Sequence, residues 1–165
     1  ENDIMQYYYY FKFQYGLDDP AQDLAVLNKL RAEWKDMAYS PFEATFEGLH
    51  SWGSQAHCYG MFPAYFLSSY VLGVRLDGPV QNKSLLIEPR LGDLTEAEGT
   101  VVTEFGPVTV AWKRNATGGE YSVDTSKLKS GVKVRLHLLG AKNNQAQGRW
   151  VETNLKSEIY RGSWN

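Results

Sequence analysis

Residues 61–79 read MFPAYFLSSYVLGVRLDGP, and this stretch decides the fold. Pro63 suits the first turn of a helix, and Phe62, Tyr65, Phe66, Tyr70 and Val74 supply an apolar surface at helical spacing. The pattern predicts a helix from about Met61 to Val74. Asp77-Gly78-Pro79 then forms a breaker cluster. Beyond residue 80 the apolar period falls to two. The chain therefore reads as helical before this stretch and as sheet after it.

Working outward, residues 3–16 read as a helix. Asn2 or Asp3 caps it, Ile4, Met5, Tyr8, Tyr9 and Phe11 recur along it, and Gly16 stops it. The tyrosine run 7–10 puts aromatics all round this helix, so more than one face is expected to be buried. A second helix begins at Pro20 behind the N-cap Asp19, with Asp23 in its first turn and Leu24, Leu27, Leu30 and Trp34 as its stripe. A polar loop of roughly residues 39–60 separates it from the third.

On the other side, Ser84–Ile87, Gly99–Thr103, Val108–Trp112, Tyr121–Val123 and Val132–Leu138 are strand-like. Glu104-Phe105-Gly106-Pro107 reads as a hairpin turn. Val108, Val110 and Trp112 alternate with Thr109, Ala111 and Lys113, as a strand with one buried face does. Trp150-Val151 and Ile159-Tyr160 are read as edge strands. Short strands at this spacing suggest an antiparallel β-sandwich.

Composition follows the same division. Residues 1–77 hold 17 of the 23 aromatic residues and a net charge of −5, and the remainder carries +3. The overall charge of −2 offers no basic footprint, which counts against nucleic acid as a partner. Met61–Leu76 is too short and too interrupted to span a bilayer. Cys58 stands alone, so no internal disulfide forms. Glu1-Asn2-Asp3 is acidic where a signal peptide would be basic, and the chain reads as if cut from something longer. Three helices with this much aromatic surface are expected to pack against more protein, in the same or a second chain.

The polar loop carries the candidate chemistry. Glu47, after an aromatic and before Gly48, is either a general base or nucleophile or a solvated loop glutamate; Glu43 is of the same type. His57 either donates to a ligand hydroxyl or caps backbone groups. Trp52 is either a stacking platform for a sugar ring or a plug on the core. His50 is less persuasive, Cys58 reads as a small buried filler, and His137 falls in a strand. His50, His57 and Cys58 lack metal-ligand spacing, so no metal is expected. No phosphate-binding glycine loop is present, and no cofactor is implied.

The order of these pieces carries a resemblance. Met5-Gln6-Tyr7-Tyr8, Asp18-Asp19 with Leu24, Leu27 and Trp34, and Thr45-Phe46-Glu47 come first. Ser54 with His57 and Pro63 through Arg75 follow, then Ile87-Glu88-Pro89-Arg90, Gly92-Asp93-Leu94, Ala97-Glu98-Gly99 and Phe105 through Trp112. Over about residues 3–136 this series resembles the C-terminal end of α-L-rhamnosidases and related inverting glycoside hydrolases. The resemblance implies an α+β fragment: residues 1–77 as the last helices of an (α/α)6 six-hairpin barrel and residues 78–165 as a small antiparallel β-sandwich. It implies Glu47 as general base and His57 as a sugar contact. The tryptophan that precedes the family's base is missing here. The general acid would lie in sequence outside this chain, supplied by the rest of the catalytic domain in cis or by a second chain. The implied substrate is a rhamnoside or related glycoside.

A second reading belongs to another class: a non-catalytic carbohydrate-binding or structural sandwich, with Trp112, Trp150 and Trp164 either as stacking faces or, for Trp112, a core position and, for the other two, tail contacts. Two sequons, Asn82-Lys83-Ser84 and Asn115-Ala116-Thr117, are glycan acceptors in a secretory protein and lean toward secretion.

Overall fold

An α-helix brings residues three and four apart onto one face. In α1 (Ile4–Gly16) the stripe so formed is Ile4, Tyr7, Phe11 and Tyr15, all buried. Tyr9 and Phe13 lie off it and are 65% and 64% exposed, so within this unit the tyrosine-rich helix buries one face rather than several. One layer of neighbouring side chains covers it, and one layer covers one stripe. The computed structural model describes residues 4–51, 53–138, 149–153 and 158–164. Its contacts divide the chain into two units, Glu1–Phe66 and Leu67–Asn165.

In the first unit, α2 (Pro20–Glu33) starts as the sequence indicates: the Asp19 carboxylate accepts the Ala21 N–H at 2.9 Å, and Pro20 occupies the first helical turn. Leu27, Leu30 and Trp34 are buried together with Val26, and Leu24 is only half-buried. A short α3 (Lys35–Ala38) follows, and α4 (Phe62–Phe66) ends the unit. The core is an aromatic cluster. Trp34 meets Phe62 at 4.8 Å and 72°, and Phe11 meets Phe66 at 5.5 Å and 89°. Such edge-to-face contacts set the positive ring edge against the negative ring face.

The second unit opens with a π-helical turn, Leu67–Val71, closed by the Leu72 N–H on the Leu67 carbonyl at 2.9 Å. The helix expected to reach Val74 ends here. Gly73, at φ +80°, reverses the chain, and a Cβ on it would strike the Glu88 backbone. Val74 therefore begins a strand, β1 (Val74–Leu76). Then come β2 (Ser84–Ile87), β3 (Glu96–Thr103), β4 (Gly106–Arg114), β5 (Gly119–Asp124), β6 (Lys133–Leu138), β7 (Arg149–Thr153) and β8 (Ile159–Trp164).

They form two four-stranded sheets, ordered β1-β2-β6-β7 and β3-β4-β5-β8. The two terminal strands lie at sheet edges, as read from the sequence. The second sheet is antiparallel throughout; in the first, β2 and β6 run parallel, which departs from the expected all-antiparallel pairing. Parallel neighbours need a long crossover, and the β3–β5 meander supplies it. Each sheet buries one face. Leu85, Ile87, Val134 and Leu136 are buried on the first; Val108, Val110, Trp112 and Val123 are buried on the second.

Trp112 is 2% exposed and donates its indole N–H to the Val71 carbonyl at 3.0 Å, so it is core and offers no stacking face. Trp164 lies half-buried over Gly119, and across the same strand pair Tyr121 lies over Gly162. The side chain of Trp150 lies outside the described residues. Charge closes the outer side of the first sheet: Glu88 pairs with Arg75 and, at 3.2 Å, with His137. No helix among the described residues is long and apolar enough to cross a membrane.

Candidate functional site

The loop between α3 and α4 has little regular structure, so side chains and a few backbone bonds must hold it. Two of these pair its halves. The Glu47 N–H donates to the Ser54 carbonyl at 2.8 Å, and the His57 N–H donates to the Thr45 carbonyl at 2.7 Å. The Thr45 hydroxyl returns a bond to the His57 carbonyl at 2.6 Å. Phe46, between Thr45 and Glu47, is 2% exposed and anchors the loop to the core. Burying Phe46 leaves its two polar neighbours at the surface.

Gly60 completes the anchor. Its carbonyl accepts the Trp34 indole N–H at 2.9 Å, and a Cβ there would lie 2.7 Å from the Thr45 Cβ and 2.8 Å from the Phe46 carbonyl oxygen. Any side chain larger than hydrogen would push the loop off the helices.

Glu47 is half-buried, and its Oε2 accepts the Ser54 N–H at 3.0 Å. A Cβ at Gly53 would lie 2.8 Å from that oxygen, so glycine admits the carboxylate against the backbone. At His57 the two readings from sequence describe different nitrogens. Nδ1 accepts the Tyr59 N–H at 3.2 Å and caps the 3-10 turn Cys58–Met61. An accepting Nδ1 puts the neutral ring's proton on Nε2, which is thereby a hydrogen-bond donor. The cap thus fixes the tautomer of the neutral ring.

A hollow of about 700 Å³ borders this loop, lined by Trp34, Glu43, Thr45, His57, Met61 and Pro63 among others. His57 and Glu43 thus share a cavity wall, and Glu47 is not part of it. Glu43 adopts φ +50°, a left-handed conformation unfavourable for a residue with a Cβ. Trp52 lies outside the described residues. Cys58 is exposed on the 3-10 turn and is not the buried filler expected, because the turn's buried position goes to Gly60.

His50 is a pin between helices. Its Nδ1 lies 3.2 Å from Asp36 and its Nε2 3.5 Å from Glu33. Glu33 also takes Lys29 at 2.7 Å and the Tyr7 hydroxyl at 3.2 Å. The Lys29 hydrogen bond, with smaller help from Lys29 charge, Tyr7 and His50, outweighs burial and holds the Glu33 carboxyl below its ordinary range. Among the described residues no three metal-ligating side chains converge.

Sequence reasoning did not identify Thr45, Ser54, Trp34 or Gly60 as the supports of this loop. Their partners lie 7 to 26 positions away, and such bonds leave no periodic trace.

No protein-family model and no curated protein matches the sequence. Among solved structures the chain is similar to the α-L-rhamnosidase of Streptomyces avermitilis complexed with L-rhamnose. Identity is 15%, coverage is 76% of this chain, and the TM-score is 0.50. It is also similar to the α-L-rhamnosidase from Dictyoglumus thermophilum, at 17% identity, 64% coverage and a TM-score of 0.47. In both cases this chain spans 13% of the length of the matched structure. At this identity the likeness is one of fold. The chain has a rhamnosidase-like fold, mixed α and β in composition.

Proposed function

We propose that this chain is the C-terminal portion of a glycoside hydrolase that cleaves terminal α-L-rhamnosides with inversion. The observation that carries the reading is the built loop: two backbone bonds tie the segment that carries Glu47 to the segment that carries His57, on a rhamnosidase-like fold. Glu47 acts as general base on a water molecule, and His57 donates from Nε2 to a sugar hydroxyl. The general acid comes from preceding sequence or a partner chain, which also covers the exposed Tyr9 and Phe13 of α1 and Leu17 just behind it. Inversion needs two carboxyl groups about 6.5–9.5 Å apart, with the water between one of them and the sugar. Trp52 is assigned to the sugar-stacking role on sequence alone.

Activity is measured on the longest protein containing this chain. Glu47→Gln keeps the shape and the acceptor for Ser54 but removes the base, so hydrolysis of an aryl α-L-rhamnoside is expected to fall by about 10²–10⁴-fold. Hydrolysis at the parental rate overturns the role of Glu47. The anomer released, followed by NMR at early times, tests inversion separately. Glu43→Gln serves as the comparison, since Glu43 shares the His57 cavity. The rival reading as a sugar-binding module loses one of its three stacking faces to the burial of Trp112.

A further inference from the structure

The two sequons sit in unlike surroundings. Asn115 lies in the turn between β4 and β5, where Asn115, Ala116 and Thr117 are all exposed. Its Oδ1 accepts three bonds: the Thr117 N–H and the Thr117 hydroxyl, each at 2.9 Å, and the Gly118 N–H at 3.0 Å. The backbone closes the same turn through the Asn115 N–H on the Gly118 carbonyl at 2.8 Å. Three donors identify this atom as oxygen, so the amide nitrogen Nδ2 is the group left outside the turn.

Asn82 ends the 3-10 turn Val80–Asn82, with Lys83 left-handed at φ +48° behind it. The hydroxyl of its sequon belongs to Ser84, which is 8% exposed and donates to Asp77 at 3.1 Å. Ser84 opens β2, a strand with a neighbour on each side. The same Asp77 carboxylate also takes Arg135 at 3.1 Å. Exposing Ser84 to a modifying enzyme would break this bond and free the start of β2.

The geometry points to Asn115, and not Asn82, as an N-glycosylation site of the folded protein in any compartment that holds an oligosaccharyltransferase. The donor class is an oligosaccharide on a polyprenyl diphosphate. Nδ2 forms a bond to C1 of the first sugar, and the C1–O bond to the diphosphate breaks. The polyprenyl diphosphate leaves with the electron pair, and one amide proton passes to the enzyme's base. The product keeps Oδ1 as an acceptor, so every bond that holds the turn survives the modification. This inference is independent of the proposed hydrolase activity.

The test is secretion of the longest protein containing this chain from a glycosylating eukaryotic host. Intact mass is read before and after peptide N-glycosidase, which converts an occupied Asn to Asp and so marks its position in a peptide map. The expected result is a glycan on Asn115 in most chains and none on Asn82. Thr117→Ala should abolish it while leaving the Asn115 side chain two of its three turn bonds and the circular dichroism unchanged. An unmodified Asn115, or Asn82 occupied to the same extent, overturns the proposal.

Discussion

Trp34 and Gly60 are joined by a buried hydrogen bond: the indole N–H at the end of α2 donates to the Gly60 carbonyl 2.9 Å away, across 26 positions of sequence. The bond ties the closing end of the candidate-site loop to the aromatic core. Trp34→Phe keeps much of the edge-to-face packing on Phe62 but leaves that carbonyl without its donor. A loss of about 1–3 kcal/mol is expected, read as a lower urea midpoint at unchanged slope. Gly60→Ala should cost at least as much, because the new methyl meets Thr45 and the Phe46 carbonyl. An unaltered midpoint in both variants would remove the anchor from this account.

On the proposed function His57 has separable duties at its two nitrogens, the cap at Nδ1 and the sugar contact at Nε2. His57→Asn retains an acceptor that can cap the Tyr59 N–H and loses the Nε2 donor, so stability should hold while kcat/KM on a rhamnoside falls. The drop expected for one lost hydrogen bond is roughly tenfold or more. His57→Ala should lose the cap as well, at about 0.5–2 kcal/mol. Equal activity in His57→Asn and the parent would leave the residue as a cap alone.

The second sheet contains a reciprocal packing pair. Trp164 covers Gly119 and Tyr121 covers Gly162, with the two rings stacked at 6.3 Å and 27°. Burial also raises the Tyr121 hydroxyl above its ordinary range. Gly162→Ala sets a methyl where the Tyr121 ring lies and should destabilise by about 1–3 kcal/mol, as overpacking does. Relief in the double variant Gly162→Ala with Tyr121→Phe would identify the hydroxyl end of the ring as the point of collision. Thermal unfolding of the three proteins decides it.

Glu88 is expected to make the second unit sensitive to acid. Burial works to raise its pKa, but the hydrogen bond from His137 and the charge and hydrogen bond of Arg75 together outweigh burial, with Arg90 adding to them. The carboxyl is held below its ordinary 4.5. The folded state therefore binds this proton less readily than the unfolded chain. Its contribution is fully present above the unfolded pKa and is lost as pH falls through the lower folded value. Glu88→Gln should be less stable than the parent at neutral pH, by about 1–3 kcal/mol. The gap should narrow as the pH drops below the ordinary carboxylate range. A gap that stays constant down to pH 2 would exclude Glu88 as its source.

Much of the local structure was legible from sequence because its causes are local. The Asp19 cap, the Pro20 start, the Phe105-Gly106 turn and the alternation of Val108, Val110 and Trp112 each depend on neighbours within a few positions. The end of the third helix was not legible. Tyr70 and Val74 continue a helical apolar pattern, but Gly73 meets the Glu88 backbone and turns the chain into β1. At the candidate site, Glu47 and His57 stood out by residue type. That His57 and Glu43, and not Glu47, border the hollow depends on how the loop folds back over Phe46.

By itself the sequence determined that helices precede strands, where most of them begin, and which loop holds the polar cluster. Periodicity, capping and turn chemistry are short-range effects and are written in adjacent residues. Tertiary structure alone decided the parallel pairing of β2 with β6, the bond from the Trp112 indole to the Val71 carbonyl and the pairing of Thr45 with His57. Each of these joins residues brought together by closing a long loop. The free energy of that closure is recovered from contacts distant in sequence, and no local pattern records it.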